Sequence, residues 1–282
     1  MSLVLSFQNI VSLTFGKEDV LVGYSDGRVK RVDFPPGGLK TLQCSGNQLT
    51  TLESLPEGLE TLQCSGNRLT TLEGLPKGLK ELHCSENQLT TLGPLPEELK
   101  DLRCSGNRLT TLEDLPKGLK KLYCFDNRLT TLEGLPVDLE DLKCSDNQLA
   151  SLDGLPNGLK ILNCSYNQFI SLGPLPASLE KLCRCDNNLT SLKGLPKGLE
   201  ELYCTNNPNL KYIEPSPKKF SVLTIPGHLT KKYCSYSNLH NSYMNHQVFK
   251  RKFISFLALE NISILTLESL AKCLDIQFQG SF

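Results

Sequence analysis

The sequence repeats itself every twenty residues, and this period constrains the fold more than any other feature. Written in blocks of twenty from residue 39, the chain follows the template LxxLxCSxNxLTxLxxLPxG. Leucine fills the first position in nine successive blocks, from Leu39 to Leu199, and asparagine fills the ninth, from Asn47 to Asn207. Nine copies of constant length predict a solenoid, in which each copy forms one coil and neighbouring coils bury a shared core.

The first part of each repeat has the alternation of a β-strand. In the first copy, Leu42 and Cys44 are expected to point into the core, while Thr41, Gln43 and Ser45 point outward. Each copy would then add one short strand to a parallel sheet, with neighbouring strands about 4.8 Å apart.

The second part of each repeat predicts turns and extended backbone. The side chain of Asn47 is expected to bond backbone groups where the chain leaves the sheet. The remaining segment is too short for a helix, and Pro56 favours extended backbone, so the convex side should be thin and non-helical. The last position would suit a positive-φ turn in the five repeats that have glycine there, at Gly58, Gly78, Gly118, Gly158 and Gly198. Glu98, Asp138 and Ser178 occupy the same position, so the turn cannot strictly require glycine.

The extended template LPxxLxxLxCxxNxLTxLxxLP resembles the short leucine-rich repeats of secreted bacterial effectors of the IpaH and YopM type. It is also similar to leucine-rich-repeat proteins of large DNA viruses of amoebae. The resemblance covers residues 39–207, about 60% of the chain. It implies a β-rich solenoid, a right-handed leucine-rich-repeat superhelix with a parallel concave sheet. It does not imply a particular partner, because this scaffold carries many ligands.

The two ends depart from the template and predict caps. Residues 1–38 are interpreted as an N-terminal β cap, with a degenerate first repeat at 19–38 and a hairpin turn at Asp26 and Gly27. The solenoid is expected over 39–214 and a C-terminal cap over 215–282, with residues 220–243 irregular. Two short helices are expected in that cap, which either cover the last coil or recruit another protein. Their apolar faces are Val248, Phe249, Phe253, Phe256 and Leu257, and Leu267, Leu270, Ala271 and Leu274.

A column of cysteines follows the period, and packing is the favoured interpretation. A free cysteine is a small buried hydrophobe, whereas side chains that point the same way pair poorly as disulfides and a linear row suits no tetrahedral metal site. We therefore expect reduced thiols, no cofactor, no metal and a reducing compartment, most simply the cytoplasm, which would be the host cytoplasm for a viral or effector protein.

Repeat eight breaks the column with Cys183, Arg184 and Cys185. Arg184 takes the inward position, where an unpaired guanidinium would be costly. A local register shift, or an Arg184 that reaches a carboxylate or solvent, is therefore expected. The outward Cys183 and Cys185 leave open a metal or redox site, although two cysteines supply only two ligands.

One possible catalytic residue is Cys273, which stands two positions before Asp275. The ligase domain of some IpaH-type effectors uses a Cys-x-Asp motif, but the segment here is much shorter than that domain and Cys273 lies on an apolar helical face. The sequence favours a protein that is not an enzyme, with a ubiquitin-ligase-like effector that acts through Cys273 as a lesser alternative.

The outward strand positions are the expected binding surface. Early copies carry Gln43 and Gln63 there, whereas later copies diverge toward aromatic and basic residues. Because aromatic and arginine side chains dominate interface energetics, an exposed patch centred on Tyr123 and Phe125 is predicted to bind a partner protein. The candidate residues are His83, Arg103, Tyr123, Phe125, Lys143, Tyr166 and Tyr203.

The charge balance narrows the class of partner. Thirty acidic residues offset thirty basic ones, so nothing favours nucleic acid, a membrane surface or a small-molecule substrate. We expect a monomer or weak dimer that binds a protein, which could be a host protein. An assembly component that uses the solenoid as a rigid spacer is the alternative.

Overall fold

The N-terminal residues form two different strand arrangements. The computed structural model describes residues 1–5, 8–33, 38–171, 173–211 and 221–226. Strand β1 (Ser2–Val4) pairs in parallel with the strand of the first repeat, Leu3 opposite Leu42. Strands β2 (Ile10–Phe15), β3 (Asp19–Tyr24) and β4 (Val29–Asp33) form a separate antiparallel sheet. The sheet contributes buried Ile10, Val20 and Val22 to the core.

The prediction of a degenerate first repeat at residues 19–38 is wrong. Residues 19–33 form the β3–β4 hairpin instead, with Val20 opposite Val32, and the predicted turn at Asp26 and Gly27 is confirmed. The physical reason is that β1 already occupies the place beside the first repeat. The alternation in β3 therefore serves an antiparallel sheet that covers the end of the core.

The nine repeats form nine parallel strands with no slip in register. Each strand pairs with the residue twenty positions further along, for example Leu122 with Leu142. The strands are β5 (Thr41–Gln43), β6 (Thr61–Gln63), β7 (Glu81–His83), β8 (Asp101–Arg103), β9 (Lys121–Tyr123), β10 (Asp141–Lys143), β11 (Ile161–Asn163), β12 (Lys181–Cys183) and β13 (Glu201–Tyr203).

The sheet continues past the last repeat. Strand β14 (Val222–Thr224) pairs in parallel with β13, Leu223 opposite Leu202, and Ile225 follows in the inward position that cysteine holds in most repeats. Residues 222–224 were expected to be irregular, and that expectation is wrong. The sequence has one extra residue near Pro208, so Leu223 follows its partner Leu202 by 21 positions instead of 20. For this reason β14 does not fit the twenty-residue template. The two helices expected over residues 245–275 lie outside the described residues.

The core consists of inward leucines and cysteines, as the alternation predicts. Leu42, Cys44 and Leu49 are fully buried, and so are their counterparts along the column up to Cys164. No helix occurs in the described ranges, which agrees with the predicted non-helical convex side. In those same ranges there is accordingly no helix with the length and apolar character that a membrane span requires.

A ladder of asparagines joins each coil to the one before it, as predicted. The Nδ2 group of Asn67 donates to the carbonyl oxygens of Cys64 (2.9 Å) and Cys44 (3.0 Å). Its Oδ1 accepts the N–H of Leu49 at 3.0 Å. Since Cys44 and Leu49 belong to the preceding coil, the side chain replaces backbone partners that a sheet or helix would otherwise provide.

The turn at Gly58 does not require glycine, as the presence of Glu98 at the same position in another repeat predicts. The turn there is closed by the N–H of Leu59, which donates to the Pro56 carbonyl oxygen at 3.0 Å, and its central residues have negative φ. The left-handed residues lie elsewhere. One set follows the strands, such as Gly66 (66°) and Glu86 (54°), and another lies on the convex side, such as Gly74 (76°).

Candidate partner-binding site on the concave face

The third residue of each repeat strand forms one continuous row across the concave face. The pairing places His83 beside Arg103, Arg103 beside Tyr123, and Tyr123 beside Lys143. Neighbouring members of the row are therefore about 4.8 Å apart along the sheet. Four of the seven predicted site residues thus lie side by side on β7–β10.

Tyr123 is buried, so the prediction of an exposed aromatic ring at this position is wrong. Only 6% of the residue is accessible. The Arg103 guanidinium carbon lies 5.1 Å from the ring centre, and the Lys143 Nζ lies 3.8 Å from it. Long cationic side chains from both neighbouring strands cover the ring, an arrangement that cation–π attraction stabilises.

Carboxylates on the same strands complete the arrangement around Tyr123. The Tyr123 hydroxyl donates to Asp141 Oδ2 at 2.8 Å, and Arg103 Nε donates to Asp101 Oδ1 at 3.3 Å. Burial raises the pKa of Asp141, although the Tyr123 hydrogen bond and the nearby Lys143 oppose the shift. We call Asp101, Arg103, Tyr123, Asp141 and Lys143 the Tyr123 cluster.

The two aspartates show what the sequence interpretation missed. Asp101 and Asp141 are not among the seven candidate residues that the sequence predicted. In the structure they hold side chains of the same molecule. The available signal was their spacing, because Asp101 lies two positions before Arg103 and therefore on the same face of β8.

Phe125 is half-buried two positions beyond Tyr123 and presents an aromatic side chain beside the cluster. Ser105, its counterpart on the preceding coil, is only 2% accessible, whereas Ser45, Ser65 and Ser85 are half-buried. This difference indicates that the Phe125 ring covers the preceding coil. Part of the ring remains available to another molecule.

The remaining predicted residues lie apart from the cluster. Tyr203 is on β13, four strands from Tyr123, and its hydroxyl donates to Glu201 Oε2 at 3.2 Å. Tyr166 is in the turn after β11 with φ of 53°, and its hydroxyl interacts with Asp186. The structure thus groups His83, Arg103, Tyr123, Phe125 and Lys143, and separates Tyr166 and Tyr203 from them.

Repeat eight keeps its register, so the predicted shift at Arg184 is wrong. Leu182 pairs with Leu162 and with Leu202, and Arg184 is fully buried instead of reaching a carboxylate or solvent. Its Nη2 donates to the carbonyl oxygen of Ser171 at 3.2 Å, and its guanidinium carbon lies 4.5 Å from the Phe169 ring centre.

The outward cysteines of repeat eight are not activated thiols. Cys183 and Cys185 are half-buried on the concave face. Burial raises the pKa of Cys183 and raises that of Cys185 to about 11. Both thiols are therefore protonated at neutral pH, which disfavours metal binding and thiolate chemistry. Within the described ranges no group of three or more His, Cys, Asp or Glu side chains is placed to hold a metal ion.

The inward cysteine column is part of the core, as predicted. All ten described cysteines are free, and eight of them are buried in the column. Burial raises the pKa of Cys44 and of Cys84 to about 12, since the low-dielectric core disfavours a thiolate. Cys273, the alternative catalytic residue, lies outside the described residues.

The fold and the repeat chemistry define the class of protein. A parallel sheet with one short strand per twenty residues, an inward leucine core and an asparagine ladder are the features of a leucine-rich-repeat solenoid. A sequence profile described as Leucine Rich repeats (2 copies) matches residues 77–117. The chain has the leucine-rich-repeat fold.

Solved leucine-rich-repeat structures, two of them of YopM from Yersinia, are similar to this chain. YopM of Yersinia pestis, a leucine-rich effector protein, is 33% identical with a TM-score of 0.62, over 69% of this chain and 58% of that one. YopM of Yersinia enterocolitica WA-314 is also 33% identical, with a TM-score of 0.55, over 69% and 49% of the two chains. The leucine-rich-repeat domain of APL1B is 28% identical with a TM-score of 0.52, over 60% and 55%.

The chain spans about half the length of the YopM structures it matches. A comparison with curated protein sequences finds no match.

Proposed function

We propose that the protein binds a partner protein through the concave face of coils four to seven, and that binding is its function. Leucine-rich-repeat proteins are commonly interaction modules, and the effector-like neighbours suit a host protein as the partner. The observation that carries the proposal is the Tyr123 cluster, with Phe125 beside it, on a sheet whose first three coils carry polar outward side chains.

The cluster supports binding because it is already organised. The hydrogen bonds and ring contacts of Tyr123 hold Arg103 and Lys143 in place before any partner arrives. Side chains that are ordered in the free protein lose less conformational entropy on association. Tyr123 is thus a positioning residue, and Phe125 and the cationic side chains would make the contacts.

Two further properties support a non-catalytic binding protein in a reducing compartment. The described thiols are free, and burial raises the pKa values of those in the column, contrary to what a nucleophilic cysteine needs. A long series of unpaired cysteines is typical of the cytoplasm, and for an effector-like protein that would be the cytoplasm of a host cell.

The test compares the affinity of a captured partner for three forms of the chain. The partner is isolated from a host-cell lysate with the wild-type protein and then purified. We expect the Tyr123→Ala/Phe125→Ala double variant to bind at least about 30-fold more weakly, as for interface hot spots. The control is Gln43→Ala/Gln63→Ala, which removes side chains from the same face of coils one and two and should leave affinity unchanged.

If the Tyr123/Phe125 variant keeps its affinity and its circular dichroism spectrum shows an intact fold, the partner does not bind at this surface. A loss of affinity in the Gln43/Gln63 control instead would move the site to the first two coils.

A further inference from the structure

Arg184 places a charged group inside the core, in the column that cysteine fills in the neighbouring coils. It is fully buried. Its Nη2 donates to the Ser171 carbonyl oxygen, and its guanidinium lies against the Phe169 ring and near the Cys164 thiol. Its Nε and Nη1 are also buried, and neither has a hydrogen-bond partner among the described residues. In that same part of the chain no carboxylate forms an ion pair with it.

The preceding coil accommodates the Arg184 side chain but does not offset the full cost of burying its charge. Phe169 occupies a position where the other repeats have leucine, such as Leu149 and Leu189, and its ring lies against the guanidinium. The Cys164 thiol is near enough to raise the pKa of Arg184, but burial dominates and lowers it. Two donors on a buried cation that have no hydrogen-bond partner in the described part of the chain carry a substantial penalty.

The position of this penalty matters because a solenoid is nearly one-dimensional. Each coil contacts only the coil before it and the coil after it, so stability is a sum of coil terms and neighbour terms. A coil with an unfavourable interior weakens the array locally. Long repeat arrays then lose all-or-none behaviour and open in parts.

We propose that Arg184 divides the solenoid into two units that open separately: coils one to seven, and the coils from residue 179 onward. The second unit opens more readily. Its opening exposes β12, β13 and the core thiol of Cys204, while the Tyr123 cluster on β8–β10 stays folded. The partner-binding surface is thereby isolated from motion at the C-terminal coils.

The cysteine column supplies the measurement, since nearly every coil carries one buried thiol. The full chain is treated with N-ethylmaleimide under native conditions, and labelling of each cysteine is followed by peptide mass spectrometry. A buried thiol reacts only when its own coil opens or when the coil that covers it opens, so opening of coil eight also uncovers Cys164 of coil seven. We expect Cys164 and Cys204, which flank Arg184, to react about 10- to 100-fold faster than Cys84 and Cys104 in the central coils.

Two variants separate this mechanism from simple fraying at the chain end. Arg184→Cys restores the repeat template, and Arg184→Val fills the position without adding a thiol. Both should slow labelling of Cys164 and Cys204 toward the rate of the central coils. Fraying would be insensitive to either change.

Three results would overturn the proposal. The first is equal labelling rates along the wild-type column, which decides the matter even if a variant fails to fold. The second is unchanged rates in both variants, and the third is faster labelling in both, which would show that Arg184 stabilises its coil.

Discussion

At the scale of single residues, the asparagine of each repeat connects two coils through its side chain. Asn67 bonds the Cys44 and Cys64 carbonyls and the Leu49 N–H, all in the interior. Backbone groups that lose such a partner remain buried, because no water reaches them. Each asparagine side chain therefore contributes more to the free energy of unfolding than one exposed amide hydrogen bond would.

Replacing one asparagine should be costly. We expect Asn67→Ala to lower the free energy of unfolding in urea by about 2–3 kcal/mol, since the buried Leu49 N–H loses its partner and the Cys44 and Cys64 carbonyls each lose one of two asparagine donors. The neighbouring Arg68→Ala, in an exposed side chain, is the matched control and should change it by no more than about 0.5 kcal/mol. Similar values for the two variants would contradict the structural role of the ladder.

Glu86 lies in a left-handed turn where other repeats have Gly66 or Gly106. A side chain in this conformation is strained, so we expect Glu86→Gly to raise the free energy of unfolding by roughly 0.5–1 kcal/mol. Glu98→Gly is the control, because that turn has negative φ and glycine there only adds freedom to the unfolded chain. A decrease of stability in both variants would argue against strain at Glu86.

At the scale of elements, the sequence predicted the repeat strands and a β cap before them, but not that β1 and β14 extend the repeat sheet at its two ends. A fixed period with alternating leucine and cysteine sets both the face and the register of β5–β13. Strand β1 is separated from the first repeat by the β2–β4 sheet, and β14 by an inserted residue, so neither matches the period. Their place in the sheet depends on tertiary pairing, which local pattern does not encode.

The sequence predicted which residues line the candidate site, but not how their side chains contact one another. The outward row that contains Arg103, Tyr123 and Lys143 follows directly from alternation. Their mutual contacts, and hence the burial of Tyr123, depend on long side chains that reach across strands. The same holds for Arg184, whose accommodation depends on Phe169 of the preceding coil.

A second row of side chains, immediately before the strands, forms ion-paired triplets. Glu60 accepts from Lys40 (2.7 Å) and Lys80 (2.8 Å), and Glu140 is placed in the same way between Lys120 and Lys160. Hydrogen bonds from Lys40 and Lys80 lower the pKa of Glu60 from its ordinary 4.5 to about 2. All these groups are exposed, so the triplets contribute modestly to stability.

The Glu60 pKa gives a pH-dependent prediction with a definite sign. Because the folded-state pKa lies below the ordinary value, the stabilisation is complete above about pH 4.5 and is lost as pH falls toward 2. An NMR titration of the carboxyl carbon should therefore give a midpoint well below 4.5. The midpoint should move back toward 4.5 in about 1 M NaCl, where the Debye length is about 3 Å. A midpoint near 4.5 at low salt would mean that the triplets do not form in solution.

At the scale of the whole molecule, the protein is a uniform scaffold with two local exceptions. Coils one to three carry small or polar outward side chains, whereas coils four to six carry the Tyr123 cluster and Phe125. Repeat eight carries the exception in the core, at Arg184. Because neighbouring coils interact only with each other, the two exceptions can serve different purposes, one in binding and one in local opening.

The binding account rests on which face of this scaffold meets the partner, and site-specific crosslinking tests that most directly. A photoreactive phenylalanine analogue replaces Phe125 on the concave face in one protein. In a second it replaces Val137, which is 78% exposed and lies between the strands of coils five and six. Both proteins are irradiated in the same host-cell lysate.

We expect one defined crosslinked partner from position 125 and none from position 137. Crosslinking of the same partner from position 137, with none from position 125, would contradict the claim that the concave face binds it.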